Sequence, residues 1–499
     1  MEDQAIINKI SKGASLLLVG IVISKLLTYL YRLIIARYLG PGIYGLFSIG
    51  LAVIGVVLSI SLVGLPQGIL RYVSYYFGKN DSESIHVVFN NAIKIVLPIS
   101  IFFSAILFIF ADWISITLFH SPQLIRVLQI FACAVPISVV AACMEYTLQA
   151  FQKIKYIVIS RNIIEPVVKL LFSVLVIYLG YSLVGITAVY LISLIIVTFF
   201  FAYFLKKVLS FKKILSAPSS MYKPLLFFSL PLMLSDLFIS LLLWSDTLIL
   251  GSFVIAAQVG IYNAVVPTAR LIHTIPVALR ALFIPTISGL YAQKKGIAPV
   301  YNTITKWLFL TGISSVTFVC VYSRQLLSIF FGKVFAEGYI PLILVALSFF
   351  AYSLVFPLEN ILMVMKKTKL ILFNTALAVV FNITLNLLLI PKFGIYGAAL
   401  STAFAFMIIT LLVAAEAYYF VKLFPLKLNY LRAVMAAFVS LAAVICIGSY
   451  IDSYRILGLL TLGIIYLILY FLLLLFTRAI GKTEFAMIKA AWQKLKRMF

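Results

Sequence analysis

Two basic residues in the first long apolar segment share one face of the helix that this segment predicts. Lys25, Thr28, Tyr29 and Arg32 follow one another at i, i+3, i+4 and i+7, which places all four on one side of an α-helix. No acidic residue occurs between positions 4 and 80 to neutralise them. An ammonium beside a guanidinium suits an anion such as a phosphate, so the sequence predicts an anion-binding stripe, which we call the first stripe.

A second polar stripe lies on an apolar segment in the other half of the chain. Asn263, Arg270, His273 and Thr274 share a helical face, and Arg280 follows them. Arginine suits a phosphate because its planar fork donates two hydrogen bonds at once. We therefore expect Arg270 and the two cations of the first stripe to face one central cavity and to hold one anion together.

Three further cations have more than one interpretation. Arg71 and Arg280 can contact the same anion, or they can extend to the membrane interface. Lys169 follows Arg161 and Glu165 at steps of four residues, and a ladder of ion pairs within one helix explains that spacing without a ligand. We favour the ladder for Arg161 and Glu165, whereas Lys169 remains a candidate for the anion.

Acidic residues inside apolar segments are scarce, which draws attention to Asp236. It lies near the middle of its segment, and two interpretations stay open: it binds a coupling proton or Na+, or it pairs with one of the arginines. Asp246 lies toward the outer end of the same segment. The four cysteines lie in apolar segments without CxxC spacing, and His273 is far from the other histidines. The sequence therefore predicts no metal centre and no cofactor.

The segments that carry these residues are too apolar for a water-soluble protein. Of the 499 residues, 64% are hydrophobic and 11% are charged, with a mean hydropathy of +1.18, whereas about a quarter of a soluble domain is charged. Apolar runs of roughly 20 residues or more recur, which predicts an all-α polytopic membrane protein with about 14 transmembrane helices. The predicted helices lie near residues 12–38, 42–77, 87–110, 125–150, 156–179, 183–205, 224–248, 257–292, 302–324, 340–365, 368–390, 395–421, 430–451 and 456–478.

Basic residues concentrate in alternate connections between these segments. The formal net charge is +25. By the positive-inside rule the lysine-rich connections are cytoplasmic, which predicts a multi-pass protein of the cell membrane with both termini in the cytoplasm. Because topology explains the basicity, the sequence predicts no nucleic-acid partner. The lysines in these connections include Lys153, Lys155, Lys206, Lys207, Lys294, Lys295, Lys366, Lys367, Lys369, Lys422 and Lys427.

The two halves of the chain share a pattern of polar residues and glycines. Glu145 and Glu359 each precede a basic turn at the same offset, and Gly185 and Gly397 recur in the helices that follow. We expect both carboxylates to contact the basic turns. Equivalent helices are six apart, which predicts a parallel pseudo-twofold repeat of two six-helix lobes. The predicted domains are an N-terminal lobe 1–205, a cytoplasmic linker 206–223, a C-terminal lobe 224–421, two further helices 422–478 and a cytoplasmic amphipathic tail 479–499.

Three runs of residues resemble those of a known family. They are RYLGPGIYGLF at 37–47, DTLILG at 246–251 with VGIYNA at 259–264, and NITLN at 382–386 with LIP at 389–391 and GIYGAA at 394–399. Together they resemble the polysaccharide transporter family of the multidrug/oligosaccharidyl-lipid/polysaccharide superfamily.

This resemblance implies a flippase that moves polyprenyl-diphosphate-linked oligosaccharides across the cytoplasmic membrane by alternating access. It implies a lipid-linked glycan as substrate, membrane lipids as surroundings and glycan-assembly proteins as candidate partners. Asp236 is the candidate for H+ or Na+ coupling. The candidates for holding the diphosphate are Lys25, Arg32, Arg71, Lys169, Arg270 and Arg280.

Other classes of protein stay open. A cation-coupled multidrug antiporter of the same superfamily would favour an acid in the first helix, where Lys25 and Arg32 stand. A peptidoglycan lipid II flippase is a second alternative, although the run at 37–41 favours the polysaccharide branch. A membrane-embedded glycan polymerase would need a metal-binding acidic pair or a large polar loop, and the sequence shows neither. We therefore predict a transporter and not an enzyme.

Overall fold

The computed structural model describes residues 2–209 and 221–479, and it describes no side chain of residues 2–18, 275, 278, 280–282 or 285. Within these limits no residue belongs to a β-strand. Residues 480–499 of the predicted tail and most of the linker at 206–223 lie outside the described residues. The α-helices are α1 Glu2–Ser61, α2 Leu65–Gly78, α3 Ser82–Ile109, α4 Ala111–Trp113, α5 Leu124–Ala150, α6 Ile154–Ile157, α7 Glu165–Tyr178, α8 Leu183–Lys206, α9 Tyr222–Phe253, α10 Ala256–Arg270, α11 Thr274–Ala292, α12 Ala298–Phe330, α13 Tyr339–Val364, α14 Thr368–Phe393, α15 Ile395–Val421, α16 Leu431–Gly448 and α17 Ile456–Phe476.

Among the described residues, 11 helices are long and apolar enough to cross a membrane. This confirms an all-α polytopic membrane fold, and the count of about 14 stays a prediction. The predicted first helix and residues 42–61 of the predicted second helix lie in α1, and most of the rest of the second helix lies in α2. A π-helical turn at Val158–Ile164 interrupts the predicted fifth helix, and a 3-10 turn at Leu271–His273 interrupts the eighth. Neither of these two interrupted segments is among the 11.

The length of α1 requires a break, and Gly40 supplies it. A straight helix of 60 residues would be about 90 Å long, or about three times the thickness of a bilayer core. Gly40 has φ 80° and ψ 171°, a conformation that glycine adopts without the strain of a Cβ atom. Pro41 follows, where its missing N–H is tolerated because a new helix begins. The two residues therefore divide α1 into two consecutive helices.

Helix ends in the two halves of the chain share a backbone conformation at a constant interval. The left-handed residues are Asn80 and Lys294 (φ 57° and 53°), Gln152 and Lys366 (58° and 62°), and Gly180 and Gly394 (79° and 54°). After α5 the N–H of Lys153 donates to the oxygen of Leu148 at 3.0 Å, and after α13 the N–H of Lys367 donates to Leu362 at 2.9 Å. Both are Schellman ends. The matched ends support the predicted repeat locally, whereas the lobe boundaries and their superposition stay predictions.

The chain folds into two compact units. Unit 1 comprises Met1–Pro267 and Leu372–Ala405, and unit 2 comprises Thr268–Ile371 and Phe406–Phe499. The core of unit 1 includes Phe89 of α3, Leu148 of α5 and Phe201 of α8. In unit 2, Tyr322 of α12 and Tyr466 of α17 belong to a second core cluster. Each unit therefore has an apolar core of its own.

Candidate functional site

A buried carboxylate at the centre of a hydrogen-bond cluster stands out in unit 1. Asp246 of α9 is 5% exposed. Its Oδ1 accepts hydrogen bonds from the amides of Asn386 at 2.7 Å and Asn382 at 3.1 Å. Its Oδ2 accepts from the hydroxyl of Tyr262 at 2.7 Å and from that of Thr402. Four elements, α9, α10, α14 and α15, therefore contribute to one acidic cluster, which we call the Asp246 cluster.

The side chains around Asp246 also bond to one another. Ser245 donates to Oδ1 of Asn382 at 2.6 Å, and Nδ2 of Asn386 lies 3.1 Å from the same oxygen. The hydroxyls of Tyr262 and Thr402 are 3.0 Å apart. In contrast, Oδ1 of Asn386 is buried without a hydrogen-bond partner in the structure. One acceptor of the cluster is therefore left for a further donor or a cation.

The composition of the cluster determines which ligands it suits. Among the described residues Asp246 contacts no lysine or arginine, so only neutral donors stabilise its charge. Burying a carboxylate is costly unless hydrogen-bond donors or a cation compensate for the loss of water. Carboxylate, amide and hydroxyl oxygens suit a hard cation, and a proton would neutralise the same group. Within the described residues no three His, Cys, Asp or Glu side chains form a metal-binding group, so the cluster suits a monovalent ion better than a transition metal.

The first stripe lies on the N-terminal part of α1, where Lys25 and Arg32 are both half-buried. The side chain of Arg32 forms a hydrogen bond with Tyr44, beyond the break at Gly40. The Tyr44 hydroxyl donates to the backbone oxygen of Asn263 in α10 at 3.1 Å. Among the described residues Arg32 forms no ion pair with an acid. An anionic ligand would therefore find this guanidinium without a competing carboxylate.

Hydrogen bonds lead from Arg32 to Thr247, the sequence neighbour of Asp246. Asn263, which accepts from Tyr44 through its backbone, also accepts from Thr247 at 3.3 Å through its side chain. Thr247 follows Asp246 directly, and Tyr262 precedes Asn263. The hydrogen-bonded residues that connect Arg32 to Thr247 are both buried. Tyr44 is 1% exposed and Asn263 is 5% exposed. The first stripe and the acidic cluster are thus parts of one network within unit 1.

Two glycines let the backbones of α1 and α10 approach each other beside this network. A Cβ atom on Gly45 would lie 1.8 Å from the oxygen of Ala256, and one on Gly260 would lie 2.0 Å from the oxygen of Pro41. Each glycine lies against the backbone of the helix that carries the other, so Gly45 and Gly260 face each other where α1 and α10 cross. Any larger residue would separate the helices and lengthen the bond from Tyr44 to α10.

Lys169 belongs to the ion-pair ladder that its spacing predicts. Its Nζ lies 2.6 Å from Oε1 of Glu165, and Arg161 Nη1 lies 2.8 Å from Oε2. Lys169 also lies over the ring of Tyr190 at 4.2 Å. The geometry supports the structural interpretation of the ladder, and a role of Lys169 toward an anion stays a prediction.

Glu145 contacts Arg161 at 3.6 Å instead of the basic turn that follows it. The expected contact with the turn is wrong for this residue, because the π-helical turn between α6 and α7 brings Arg161 beside α5. The equivalent Glu359 accepts a hydrogen bond from the Tyr352 hydroxyl at 2.9 Å in unit 2. The described partners of the two carboxylates are therefore Arg161 and Tyr352, which both lie in helical segments.

Arg71 and Asp236 lie apart from the Asp246 cluster in their described contacts. The exposed Arg71 of α2 packs over the ring of Phe228 at 4.2 Å, a cation–π contact. Asp236 is half-buried, and its Oδ1 accepts from Nε2 of Gln67 at 3.3 Å. Asp236 therefore has one long hydrogen bond where Asp246, further along the same helix, has four.

The second stripe lies at the interruption between α10 and α11. Arg270 is half-buried in unit 2, with its guanidinium 5.8 Å from the centre of the Phe349 ring. His273 Nδ1 lies 3.0 Å from the Ser353 hydroxyl, and its ring stacks on Tyr352 with centroids 5.0 Å apart. The side chain of Arg280 lies outside the described part of the chain. The cavity predicted to join Arg270 with the first stripe stays a prediction.

The comparisons with known proteins bear on the family and the fold. A family model described as "Polysaccharide biosynthesis protein" matches residues 10–290, more than half of the chain. The probable low-salt glycan biosynthesis flippase Agl15 of Haloferax volcanii is 27% identical over 190 residues, which are 38% of this chain and 39% of that protein. The putative O-antigen transporter of Shigella flexneri is 22% identical over 375 residues, which are 74% of this chain and 88% of that protein.

One solved structure covers nearly the whole chain. The lipid II flippase MurJ in an inward closed conformation has a TM-score of 0.75 and 16% sequence identity, over 93% of this chain and 99% of that one. At this identity the likeness shows the fold alone. The multi-pass helical fold is therefore common to this chain and a flippase.

Proposed function

This chain belongs to the family of polysaccharide biosynthesis proteins, and from that premise we propose that it translocates a polyprenyl-diphosphate-linked oligosaccharide across the cell membrane by alternating access. The family match confirms the resemblance that the sequence runs indicate. Its relatives include a probable flippase and a putative transporter, so the chain is a transporter and not an enzyme. Its apolar helices make it a multi-pass membrane protein.

The observation that carries the proposal for an anionic substrate is the setting of Arg32. It is half-buried in an apolar helix, it bonds to Tyr44, and it contacts no acid among the described residues. A guanidinium has five N–H donors, so its bond to Tyr44 leaves donors for a diphosphate. Lys25 lies two helical turns earlier on the same face. In this proposal the two cations of the first stripe hold the diphosphate, while the prenyl tail stays in lipid.

Coupling to an ion is proposed at the Asp246 cluster. Burial of the Asp246 charge among neutral donors is costly, and a proton or Na+ would lower that cost. The fit rests on the donor set and on the buried Oδ1 of Asn386, which lacks a partner in the structure. The residues that would hold Na+ are Asp246, Asn386 and Thr402. The sequence candidate Asp236 stays an alternative for the same role.

The hydrogen-bond chain through Tyr44 and Asn263 gives a physical route from ion to substrate. A proton or cation at Asp246 would change the acceptor strength of its carboxylate and hence the hydrogen bond that Tyr262 of α10 donates to it. Asn263 of α10 accepts hydrogen bonds from the hydroxyls of both Thr247 and Tyr44. A shift of α10 would therefore move Tyr44 and change its contact with Arg32. The ion would in this way bias which orientation of the first stripe is favoured.

Transport by Arg32 variants tests the function. Proteoliposomes contain a fluorescent polyprenyl-diphosphate oligosaccharide, and its exposure to an external quencher measures translocation. Wild-type protein is expected to translocate it, and Arg32→Gln to lose most of the rate while its thermal unfolding is unchanged. Arg126→Gln, which removes an exposed arginine of the same unit that is not a candidate for the diphosphate, is the control. No translocation by wild-type protein, or a normal rate for Arg32→Gln, would contradict the proposal.

The finer location is also a proposal. The lysine-rich connections support the cell membrane with both termini in the cytoplasm. In a cysteine-free background, Lys294→Cys should resist an impermeant reagent added outside intact cells, whereas Ser453→Cys should react. The opposite result would overturn this topology. Glycan-assembly proteins are proposed as partners because a translocated glycan must be polymerised or transferred afterwards.

A further inference from the structure

Four basic side chains line a pocket at one end of unit 2. The pocket has a volume of about 240 Å³ and lies where α12 and α16 begin and α17 ends. Its cations are Lys306 of α12, Lys427 and Arg432 on either side of the start of α16, and Arg478 after α17. Every lining residue belongs to the described part of the chain, and none is Asp or Glu. The pocket is therefore a concentration of positive charge.

The backbone around the pocket holds these cations together. Arg478 has φ 52°, and its N–H donates to the oxygen of Leu475 at 3.1 Å in a closed helix end. A 3-10 turn at Leu428–Tyr430 leads into α16, and Nη1 of Arg432 lies 3.5 Å from the oxygen of Thr477. Since like charges around one small volume repel each other, an anion in the pocket would relieve that repulsion.

The surroundings of the pocket indicate which anion it suits. Lysine, arginine and the side-chain amide of Asn302 all donate hydrogen bonds, which suits phosphate oxygens. Apolar neighbours of the cations are strongly exposed, with Leu428 85%, Leu431 57% and Phe476 85%. In a membrane protein such side chains contact acyl chains. A phosphate in this pocket would therefore lie at the edge of a lipid-facing surface.

We propose that this pocket binds the phosphate headgroup of an anionic phospholipid in the cytoplasmic leaflet. Basic pockets between transmembrane helices on that side of a membrane favour such headgroups. The topology proposed above from the lysine distribution would put this end of unit 2 in the cytoplasm, and the choice of leaflet rests on that topology. The lipid would bridge α12, α16 and α17, and it would fix the two C-terminal helices to the rest of unit 2. The proposal is independent of the transported substrate.

Native mass spectrometry of the full-length protein with added phosphatidylglycerol or phosphatidylcholine tests the proposal. The pocket variant replaces all four cations by Gln. The control variant replaces four tail cations by Gln, namely Lys489, Lys494, Lys496 and Arg497, and so changes the net charge equally. Each cation near the surface is worth about five-fold in affinity. The pocket variant should bind phosphatidylglycerol more than about ten-fold more weakly, and the tail variant should match wild type.

Each of the remaining outcomes either supports or overturns the binding of a phospholipid headgroup in this pocket. Lys427 is exposed, so Lys427→Gln alone is expected to fold normally and to weaken binding about five-fold, which keeps the test valid when the quadruple variant does not fold. Equal phosphatidylglycerol affinity in wild type and pocket variants overturns the proposal, as does loss of binding in the tail variant only. If inorganic phosphate binds wild type and not the pocket variant, while phosphatidylglycerol binds both equally, the ligand is free phosphate and the headgroup assignment is wrong.

Discussion

Replacing Asp246 by Asn removes a negative charge from the buried cluster and leaves its size almost unchanged. The four donors around the carboxylate are two amides and two hydroxyls. Hydroxyl groups can rotate to accept, and the amide of Asn386 can turn its unpaired oxygen toward the new NH2 group. The variant should therefore fold. What it should lose is the affinity of the cluster for a proton or Na+.

The size of that loss follows from the charge removed. Two unit charges about 4 Å apart attract by about 4 kcal/mol at an effective dielectric constant of about 20. Since each 1.4 kcal/mol is about ten-fold in affinity, removing the charge of Asp246 should weaken cation binding about a thousand-fold. A bound ion stabilises the folded protein by about 2.7 kcal/mol at about 100 times its Kd. Asp246→Asn should abolish this stabilisation.

Thermal unfolding of the purified protein in NaCl and in choline chloride measures the effect, at several pH values. When Na+ is the ligand, wild-type protein should unfold at a higher temperature in NaCl than in choline chloride. When a proton is the ligand, the unfolding temperature should rise as the pH falls. Translocation under an imposed gradient of the same ion should be stimulated in wild type and not in Asp246→Asn. Asp236→Asn, on the same helix, is the matched control. If Asp246→Asn keeps the ion dependence, or only Asp236→Asn loses it, the assignment is wrong.

Three other substitutions test the network and the cations. Arg270→Gln should abolish glycan export in cells at normal protein levels. Arg270→Lys should keep only part of the export because the bidentate fork is lost. Full export by the Gln variant would show that Arg270 has a structural role. Gly45→Ala places a Cβ atom 1.8 Å from a backbone oxygen of α10, whereas Gly42→Ala meets nothing within 4 Å. We expect only the former to lower the free energy of unfolding, by about 1–3 kcal/mol, and equal unfolding temperatures would contradict the close helix crossing. Glu165→Gln breaks ion pairs of 2.6 and 2.8 Å, whereas Glu145→Gln breaks one of 3.6 Å. The former should cost more stability, about 3–5 kcal/mol, and thermal unfolding with the reverse order would show that the ladder is not structural.

The membrane fold could be predicted because each of its causes is local. A long apolar run that spans a membrane must be helical, because only a helix pairs the N–H and C=O groups of its backbone within a single segment. The interruptions were not predictable in the same way. Gly40 with Pro41 and Gly64 with Pro66 are local signals for a break, whereas the π-helical turn at 158–164 depends on packing against neighbouring helices. The sequence therefore determines that spanning helices exist, whereas packing decides where they are interrupted.

The candidate site divides along the same line. Helical spacing alone determined that Lys25 and Arg32 share a face and that Lys169 can pair with Glu165, because residues three and four apart on a helix are neighbours. The cluster around Asp246 has no signal in the helical spacing, although the runs at 246–251 and 382–386 carry the resemblance to the family. Its partners come from α10, α14 and α15, far away in the chain. Periodicity fixes which face of a helix is polar, but only tertiary packing decides which faces meet, and so only the structure joins Asp246 to its four donors and Arg32 to Tyr44.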